Sequence, residues 1–328
     1  MQEIISVMKE KAAKLLAEGQ VRCVLGWKRG EFFYESTPAV FESAEELEEL
    51  VYDDFCGPNL AKYLIRECAK EGKILVFAKP CDTYSINALI REHRVDREKL
   101  YVVGVECAGN LDVNKIRAKG LTGLVGFEDN GDTVTVKTLY GDETFEKGEL
   151  LLERCLCCKG KEHKIADETI VLNEENTKTV GADRFSEVAR LEEMTADERF
   201  EYWREQLSRC IRCNACRNVC PACSCIKCVF DNDDSGIASK ANTDTFEENM
   251  FHIIRAFHVT GRCTDCGECS RVCPQNIPLQ LLNRKFIKDY NELYGEYVSG
   301  EDSESKPPLL TFTQEDAEPS VVKERGNC

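Results

Sequence analysis

Two cysteine runs with the same internal spacing limit what this chain can fold into more than any other feature. The first run reads Cys210-x2-Cys213-x2-Cys216-x3-Cys220-Pro221, and the second reads Cys263-x2-Cys266-x2-Cys269-x3-Cys273-Pro274. Thiols spaced this closely can converge on one metal centre from a single tight loop. Disulfides are disfavoured, since the cysteines cluster in CxxC runs and we detect no export signal. The spacing therefore indicates metal ligation.

The CxxxCP that closes each run distinguishes iron–sulfur clusters from zinc. Zinc also binds CxxC pairs, but zinc sites would not account for two matching runs that both end this way. In two-cluster ferredoxins the last cysteine of each run binds the cluster of the other run. We therefore predict two 4Fe-4S clusters. Set 1 comprises Cys210, Cys213, Cys216 and Cys273, and set 2 comprises Cys263, Cys266, Cys269 and Cys220.

A long insert, residues 222–262, separates the two runs. We predict a helix over Thr245–His258 that packs between the two cluster halves. The insert also contains three further cysteines, Cys223, Cys225 and Cys228. These thiols either pack beside the clusters and donate weak hydrogen bonds or bind another metal, and both interpretations stay open.

Charge and hydropathy restrict the classes of function. The 328 residues include 43 Lys and Arg against 59 Asp and Glu, for a formal net charge of −16. Such a chain lacks the basic surface that would replace phosphate counterions, so we expect no nucleic-acid partner. No stretch approaches the roughly 18 apolar residues of a membrane helix. The first residues predict an amphipathic helix rather than a signal peptide, and we expect a cytoplasmic protein.

The first half of the chain alternates helix and strand signals. Strands are predicted over Val21–Leu25, Glu31–Tyr34, Lys73–Ala78, Tyr101–Val105 and, at a sheet edge, Thr133–Leu139. A helix should begin at Ser43, where Glu46 completes a capping box, and run toward Cys68 with an interruption at Gly57-Pro58. The helix Tyr84–His93 lies between two buried strands, which predicts a parallel, right-handed βαβ unit.

These elements predict two domains of different class. We expect an α/β N-terminal domain with a partly parallel sheet, followed by a mainly α-helical, two-cluster ferredoxin-like domain. The predicted boundaries are 1–160 for the first domain, 161–200 for a connector, 201–295 for the cysteine-rich domain and 296–328 for a flexible acidic tail. The tail mixes Gly, Ser, Glu and Pro, which is typical of flexible segments.

Two of the remaining cysteines follow consecutive parallel strands. Cys81 and Cys107 come just after these strands, at the edge where open α/β sheets bind their ligands. With Cys155 and Cys158 from a later CxxC they could hold a third 4Fe-4S cluster, and we name these four cysteines set 3. The alternative is that they are small apolar core residues. We predict that core role for Cys23, Cys56 and Cys68.

Short motifs in both halves of the chain occur in the order of a known family. FAKPCD at residues 77–82 and VGVEC at 103–107 look like a G-x-P-C…G-x-x-C pattern, with Ala78 in place of Gly. RCLCC at 154–158 and Ala166-Asp167 look like C-x-x-C…A-D. With CIRCNACRNVCPACSCIKC at 210–228, they resemble the coenzyme F420 hydrogenase/dehydrogenase beta-subunit family, which includes formate dehydrogenase beta subunits. The two-cluster domain is also similar to those of heterodisulfide reductase and anaerobic sulfite reductase subunits.

The resemblance implies electron transfer within a complex. Members of the family carry FAD and pass electrons between coenzyme F420, or another two-electron partner, and iron–sulfur clusters. By this resemblance the chain is expected to be the electron-transfer beta subunit of a cytosolic oxidoreductase complex. Its partners would be a formate dehydrogenase or hydrogenase on one side and a heterodisulfide-reductase-like or flavin protein on the other.

Two alternatives to this function stay open. The chain could itself contain flavin and oxidise or reduce F420 or NAD(P)H, although it has no GxGxxG or Walker motif. It could also be a structural adaptor whose clusters only stabilise the fold. We predict no catalytic residue, since the four histidines show no HExxH spacing.

Overall fold

The computed structural model describes residues 2–177, 183–232 and 245–310. The strands are β1 (Cys23–Arg29), β2 (Ser36–Phe41), β3 (Leu50–Val51), β4 (Ile74–Ala78), β5 (Leu100–Val105), β6 (Leu124–Asp129), β7 (Thr133–Thr138), β8 (Gly141–Glu146) and β9 (Glu168–Ile170). The helices are α1 (Gln2–Ala17), α2 (Ala61–Glu67), α3 (Pro80–Arg91), α4 (Val113–Ala118), α5 (Lys147–Leu150), α6 (Glu153–Leu156), α7 (Ser186–Glu192), α8 (Ala196–Ser208), α9 (Ala215–Asn218), α10 (Thr245–His258), α11 (Glu268–Arg271) and α12 (Leu279–Tyr294).

The N-terminal half is an α/β domain around a mixed sheet, as predicted. Strands run in the order β2-β1-β4-β5-β9, and β3 pairs with β1 beside this path. The pairs from β1 to β9 are parallel, whereas β2 and β3 are antiparallel to β1. The unit β4-α3-β5 is the predicted βαβ unit, with Ala78 opposite Gly104 at its carboxyl end. Because both faces of β4 are covered, all five of its residues are buried, which explains its continuous apolar run.

Two predictions in the first 70 residues are wrong. The residues from Glu31 to Tyr34 form bends and a turn, and β2 starts only at Ser36. The expected long helix from Ser43 is limited to a 3₁₀ turn, followed by β3 and the short α2. The carbonyl of Pro58 accepts hydrogen bonds from Trp27 Nε1 and Lys79 Nζ, both at 3.0 Å, so tertiary contacts fix the chain in an irregular path.

A second, three-stranded antiparallel sheet follows in the order β6-β7-β8. The strand predicted over Thr133–Leu139 is β7, and it lies at the centre of this sheet rather than at an edge. Val134 and Val136 of β7 are fully buried and pack with Leu150 in a separate small core. The alternation of the sequence therefore reflects one buried face and not an edge position.

The segment 161–200 contributes to both halves of the molecule. Its strand β9 pairs in parallel with β5, while α7 lies against α12. The segment after α12 packs on α3: Asn87 Nδ2 donates to the carbonyl of Gly300 at 3.2 Å, and Arg91 donates to Tyr297 and Ser299. The rest of the predicted tail, residues 311–328, lies outside the described residues.

The C-terminal half is helical, as predicted. The helix expected over Thr245–His258 is α10, and it packs against α8 and α12. Val259, the residue that follows α10, packs against Cys220 and Cys263. In the described part of the chain, no helix is both long and apolar enough to cross a membrane.

Candidate metal centres

The two cysteine loops repeat the same backbone conformation. Arg212 and Asp265, each two residues after the first cysteine of its run, have φ angles of 53° and 54°. Asn214 and Gly267, two residues further on, have φ angles of 61° and 65°. Left-handed backbone is uncommon for non-glycine residues, and its recurrence at matching positions shows that both loops are wrapped in the same way.

This conformation turns backbone donors toward sulfur. The N–H of Arg212 donates to Cys210 Sγ at 3.4 Å, and the N–H of Asp265 donates to Cys263 Sγ at the same distance. Hydrogen bonds of this kind stabilise the negative charge of cluster-bound thiolates. The loops therefore have the donors and the curvature that fit a 4Fe-4S cluster.

All four cysteines of set 1 line one small cavity, together with Phe251 and His252 of α10. Cys216 is buried, whereas Cys213 is exposed. The His252 Nε2 atom lies 3.2 Å from Cys210 Sγ. Cys273 thus reaches this cavity from the second run, as a crossed assignment of ligands requires.

Cys220 makes the reciprocal crossing toward set 2. It packs with Cys263 in a small apolar cluster. Burial, together with negative charge at Cys220, raises the pKa of the Cys263 and Cys269 thiols to about 12 in each case. The Cys263 and Cys269 thiols therefore favour the protonated form, and bound iron would reverse that preference by supplying positive charge.

The structure also brings the four cysteines of set 3 together. They line one cavity at the carboxyl ends of β4 and β5. The backbone N–H of Asn110 donates to Cys155 Sγ at 3.4 Å, so this set also has a backbone donor to sulfur. Cys157 lines the same cavity, but its thiol donates to Glu153 Oε1 at 3.3 Å. Burial and the neighbouring Glu153 raise the pKa of Cys157 to about 11.

Three cations surround this cavity, and the sequence analysis missed them: Arg154, Lys159 and Lys161. Lys159 Nζ donates to the carbonyl of Thr264 at 2.6 Å and lies 3.5 Å from the ring centroid of Tyr84. Burial, then the charge of Arg184, lowers the pKa of Lys159 to about 8. Positive charge here offsets the negative charge of four thiolates. The basic residues that flank the CxxC in RCLCCKGK were the available signal.

Arg154 joins the sheet edge to the second cysteine loop. Its guanidinium is buried and donates to Glu268 Oε1 at 2.7 Å, to the carbonyl of Cys266 at 2.5 Å and to that of Gly57 at 2.5 Å. Cys266, a member of set 2, also lines the cavity of set 3. Sets 2 and 3 are therefore neighbours, with Arg154 beside both.

The remaining cysteines lie in different surroundings. Cys223 packs with Cys220, Cys225 is exposed, and Cys228 packs in the apolar cluster around Phe251. Cys23, Cys56 and Cys68 are buried in the core around the main sheet, as predicted.

Comparison with known proteins first defines the class of the chain. The family model described as 4Fe-4S dicluster domain matches residues 206–277, which include both cysteine runs. The chain is therefore an iron–sulfur protein with a two-cluster domain.

Comparison with curated proteins then identifies relatives that match nearly the whole chain. The chain is 25% identical to the F420-dependent formate dehydrogenase subunit beta of Methanocaldococcus jannaschii, over 94% of each chain. It is 26% identical to the F420-dependent formate dehydrogenase 1 subunit beta of Methanococcus maripaludis, over 90% of each. The predicted resemblance to the F420 hydrogenase/dehydrogenase beta subunits is thereby confirmed, and the chain is similar to these formate dehydrogenase beta subunits over nearly its whole length.

One solved structure gives a partial likeness. A chain of the F420-reducing [NiFe] hydrogenase complex from Methanosarcina barkeri aligns with a TM-score of 0.38 and 15% identity. The alignment covers 48% of this chain and 62% of that one.

Proposed function

We propose that this chain is the electron-transfer beta subunit of a cytoplasmic oxidoreductase complex. A formate dehydrogenase or hydrogenase type of partner would lie at one end, and a heterodisulfide-reductase-like or flavin partner at the other. The names of the curated relatives, which are beta subunits of F420-dependent formate dehydrogenases, support this proposal.

The proposal includes three 4Fe-4S clusters, held by sets 1, 2 and 3. When bound, such clusters supply one-electron transfer. The observation that carries the proposal is the shared cavity in which set 3 meets Cys266 of set 2. Because Cys220 and Cys273 cross between the two runs, sets 1 and 2 also adjoin. The sets thus follow one another in the order 3, 2, 1 from the sheet edge into the helical half.

The protein contributes hydrogen-bond donors and positive charge along this row. Backbone N–H groups of Arg212, Asp265 and Asn110 donate to one cysteine of each set. The buried Arg154 supplies positive charge at the junction of sets 3 and 2. Fixed donors and charge of this kind set the potential of an iron–sulfur centre.

Iron and sulfide analysis of anaerobically purified protein tests the proposal. We expect about 12 iron atoms per chain for three clusters, and about 8 would refute set 3. Cys107→Ser should remove about four of them, whereas Cys68→Ser, in the apolar core, should leave the count unchanged. Clusters that dithionite cannot reduce would contradict electron transfer and favour a structural adaptor.

A second candidate function is a flavin-containing subunit that itself oxidises or reduces F420 or NAD(P)H. A cleft of about 670 Å³ between the two halves of the molecule favours it. Its lining combines aromatic rings of Tyr34 and Phe55 with the cations Lys115 and Arg117, groups that fit a flavin ring and phosphates. FAD in the purified protein, with cluster reduction by a hydride donor, would support this function. Iron and sulfide without flavin would refute it.

A further inference from the structure

Helix α10 carries a row of polar side chains on the face that it turns toward the cysteines. The members of this row are at helical spacing and are no more than 2% exposed: Glu248, His252 and Arg255. His252 Nε2 lies 3.2 Å from Cys210 Sγ of set 1. Just beyond the helix, Val259 packs against Cys220 and Cys263 of set 2. The helix therefore spans the distance between the two sets.

Arg255 is a buried cation that forms no ion pair and no hydrogen bond to an oxygen atom within the described residues. Within the part of the chain that the structure describes, its Nε, Nη1 and Nη2 atoms all lack a hydrogen-bond acceptor. The other buried arginines of the described residues are paired: Arg154 with Glu268, Arg212 with Glu248, and Arg284 with Asp265. A buried guanidinium without acceptors is strongly unfavourable, so Arg255 requires acceptors of a different kind.

Arg255 lies one helical turn from His252, which contacts Cys210 of set 1, and one turn from Val259, which packs against Cys220 and Cys263 of set 2. Burial alone would lower the pKa of Arg255, but negative charge at Cys269, Cys216 and Cys220 raises it above the usual value. Cys269 belongs to set 2 and Cys216 to set 1. These two cysteines lie on α11 and α9, which contact each other. Arg255 thus faces the junction of sets 1 and 2.

We propose that Arg255 is a positioning residue whose guanidinium donates hydrogen bonds to sulfur atoms of both clusters and raises both reduction potentials. This inference rests on the proposed function, since it requires clusters in sets 1 and 2. Reduction adds negative charge, and a nearby cation with N–H···S hydrogen bonds favours the reduced form. The planar guanidinium has five donors, so it can serve two groups of acceptors at once.

Potentiometric titration of the anaerobically purified full-length chain, followed by EPR, tests this role. Arg255→Met removes the charge and the donors but keeps a flexible apolar side chain. At a fixed potential we expect the ratio of reduced to oxidised cluster to fall at least about tenfold for both clusters, equal to about 59 mV for one electron. Arg255→Lys keeps the charge but not the planar set of five donors, and should give a smaller shift of the potentials in the same direction.

Arg66→Met is the matched control, because it removes an arginine charge whose side chain is 84% exposed. Its potentials should equal those of the wild type. Arg255→Met with full iron content and unchanged potentials would overturn the inference, and so would a shift confined to one cluster. If Arg255→Met retains no iron, the reduction potentials of Arg255→Lys test the inference instead. Lowered potentials in that variant support the inference, whereas wild-type potentials or loss of iron overturn it. A wild-type protein without clusters would instead refute the proposed function.

Discussion

The two cysteine-rich regions of this molecule differ in how the chain assembles them. In the helical half, each loop presents its cysteines at short, regular spacing and repeats the left-handed residues of the other loop. At the sheet edge, set 3 is gathered from the ends of two parallel strands and from the separate α6 segment. The first region is local in sequence, and the second depends on a complete sheet.

This difference indicates which region needs its metal in order to fold. Helices α9 and α11 span only four residues each, and helices so short are unstable without tertiary support. The sheet edge has no such requirement, because β4 and β5 are buried in a large apolar core. We therefore expect metal ligation to stabilise the helical half much more than the α/β half.

Replacing one cysteine ligand in each region should give the largest difference between the two regions. Cys269→Ser, in the buried part of set 2, should release about four iron atoms and unfold much of the helical half. Cys107→Ser should also release about four iron atoms but leave the main sheet folded. Iron analysis with hydrogen exchange of the amides in α10, α12, β4 and β5 measures both effects. Equal loss of protection in the two halves would contradict the comparison.

The contact between the regions depends on a buried ion pair. Arg154→Met should lower the free energy of unfolding by about 3 kcal/mol, at the lower end for a broken buried pair, because Glu268 keeps Arg271 as a partner. Anaerobic urea denaturation measures the change. Arg271→Met is the control: its side chain is 26% exposed, and it should cost less. An equal loss in both variants would show that Arg154 has no special role at the junction.

The same difference explains what could be predicted from the sequence. The two cysteine runs could be recognised as cluster ligands because all of their cysteines except the crossing ones are close in sequence. Cys81 and Cys107 could be recognised because they follow strands whose apolar runs are continuous. The helix expected from Ser43 failed because the Pro58 carbonyl and the pairing of β3 with β1 are tertiary contacts. Strand β9 has only three residues and little apolar pattern, so its pairing with β5 left no signal.

The pH dependence of stability should have opposite signs in the two halves. In the α/β half, burial raises the pKa of Asp54 to about 6, so the folded state binds its proton first and gains stability as the pH falls from about 7 toward 4. In the helical half, Glu268 is buried, but Arg271 and Arg154 lower its pKa to about 2. Its contribution is complete above about pH 4.5 and is lost as the pH falls toward 2.

Asp54→Asn tests the first of these slopes. At pH 7 it should raise the free energy of unfolding by up to about 3 kcal/mol, because the cost of a buried charge disappears. The gain should vanish near pH 4. Urea denaturation across this range measures it, and Asp142→Asn, at an exposed position, should change stability little at any pH. A gain that is independent of pH would show that packing, not charge, limits stability at Asp54.

The smallest effect is expected where the segment after α12 covers α3 near set 3. Gly300 has a φ of +79°, and a Cβ atom there would lie 1.9 Å from the carbonyl oxygen of Tyr84. Gly295 has a φ of +92° but nothing within 4 Å, so it is the matched control. Both alanine variants should cost about 1 kcal/mol in backbone strain, but only Gly300→Ala should also detach the segment from Asn87 and Arg91. Faster hydrogen exchange at residues 297–305 in that variant alone would show that packing against α3 orders this segment. Equal exchange in both variants would show that backbone strain alone governs it.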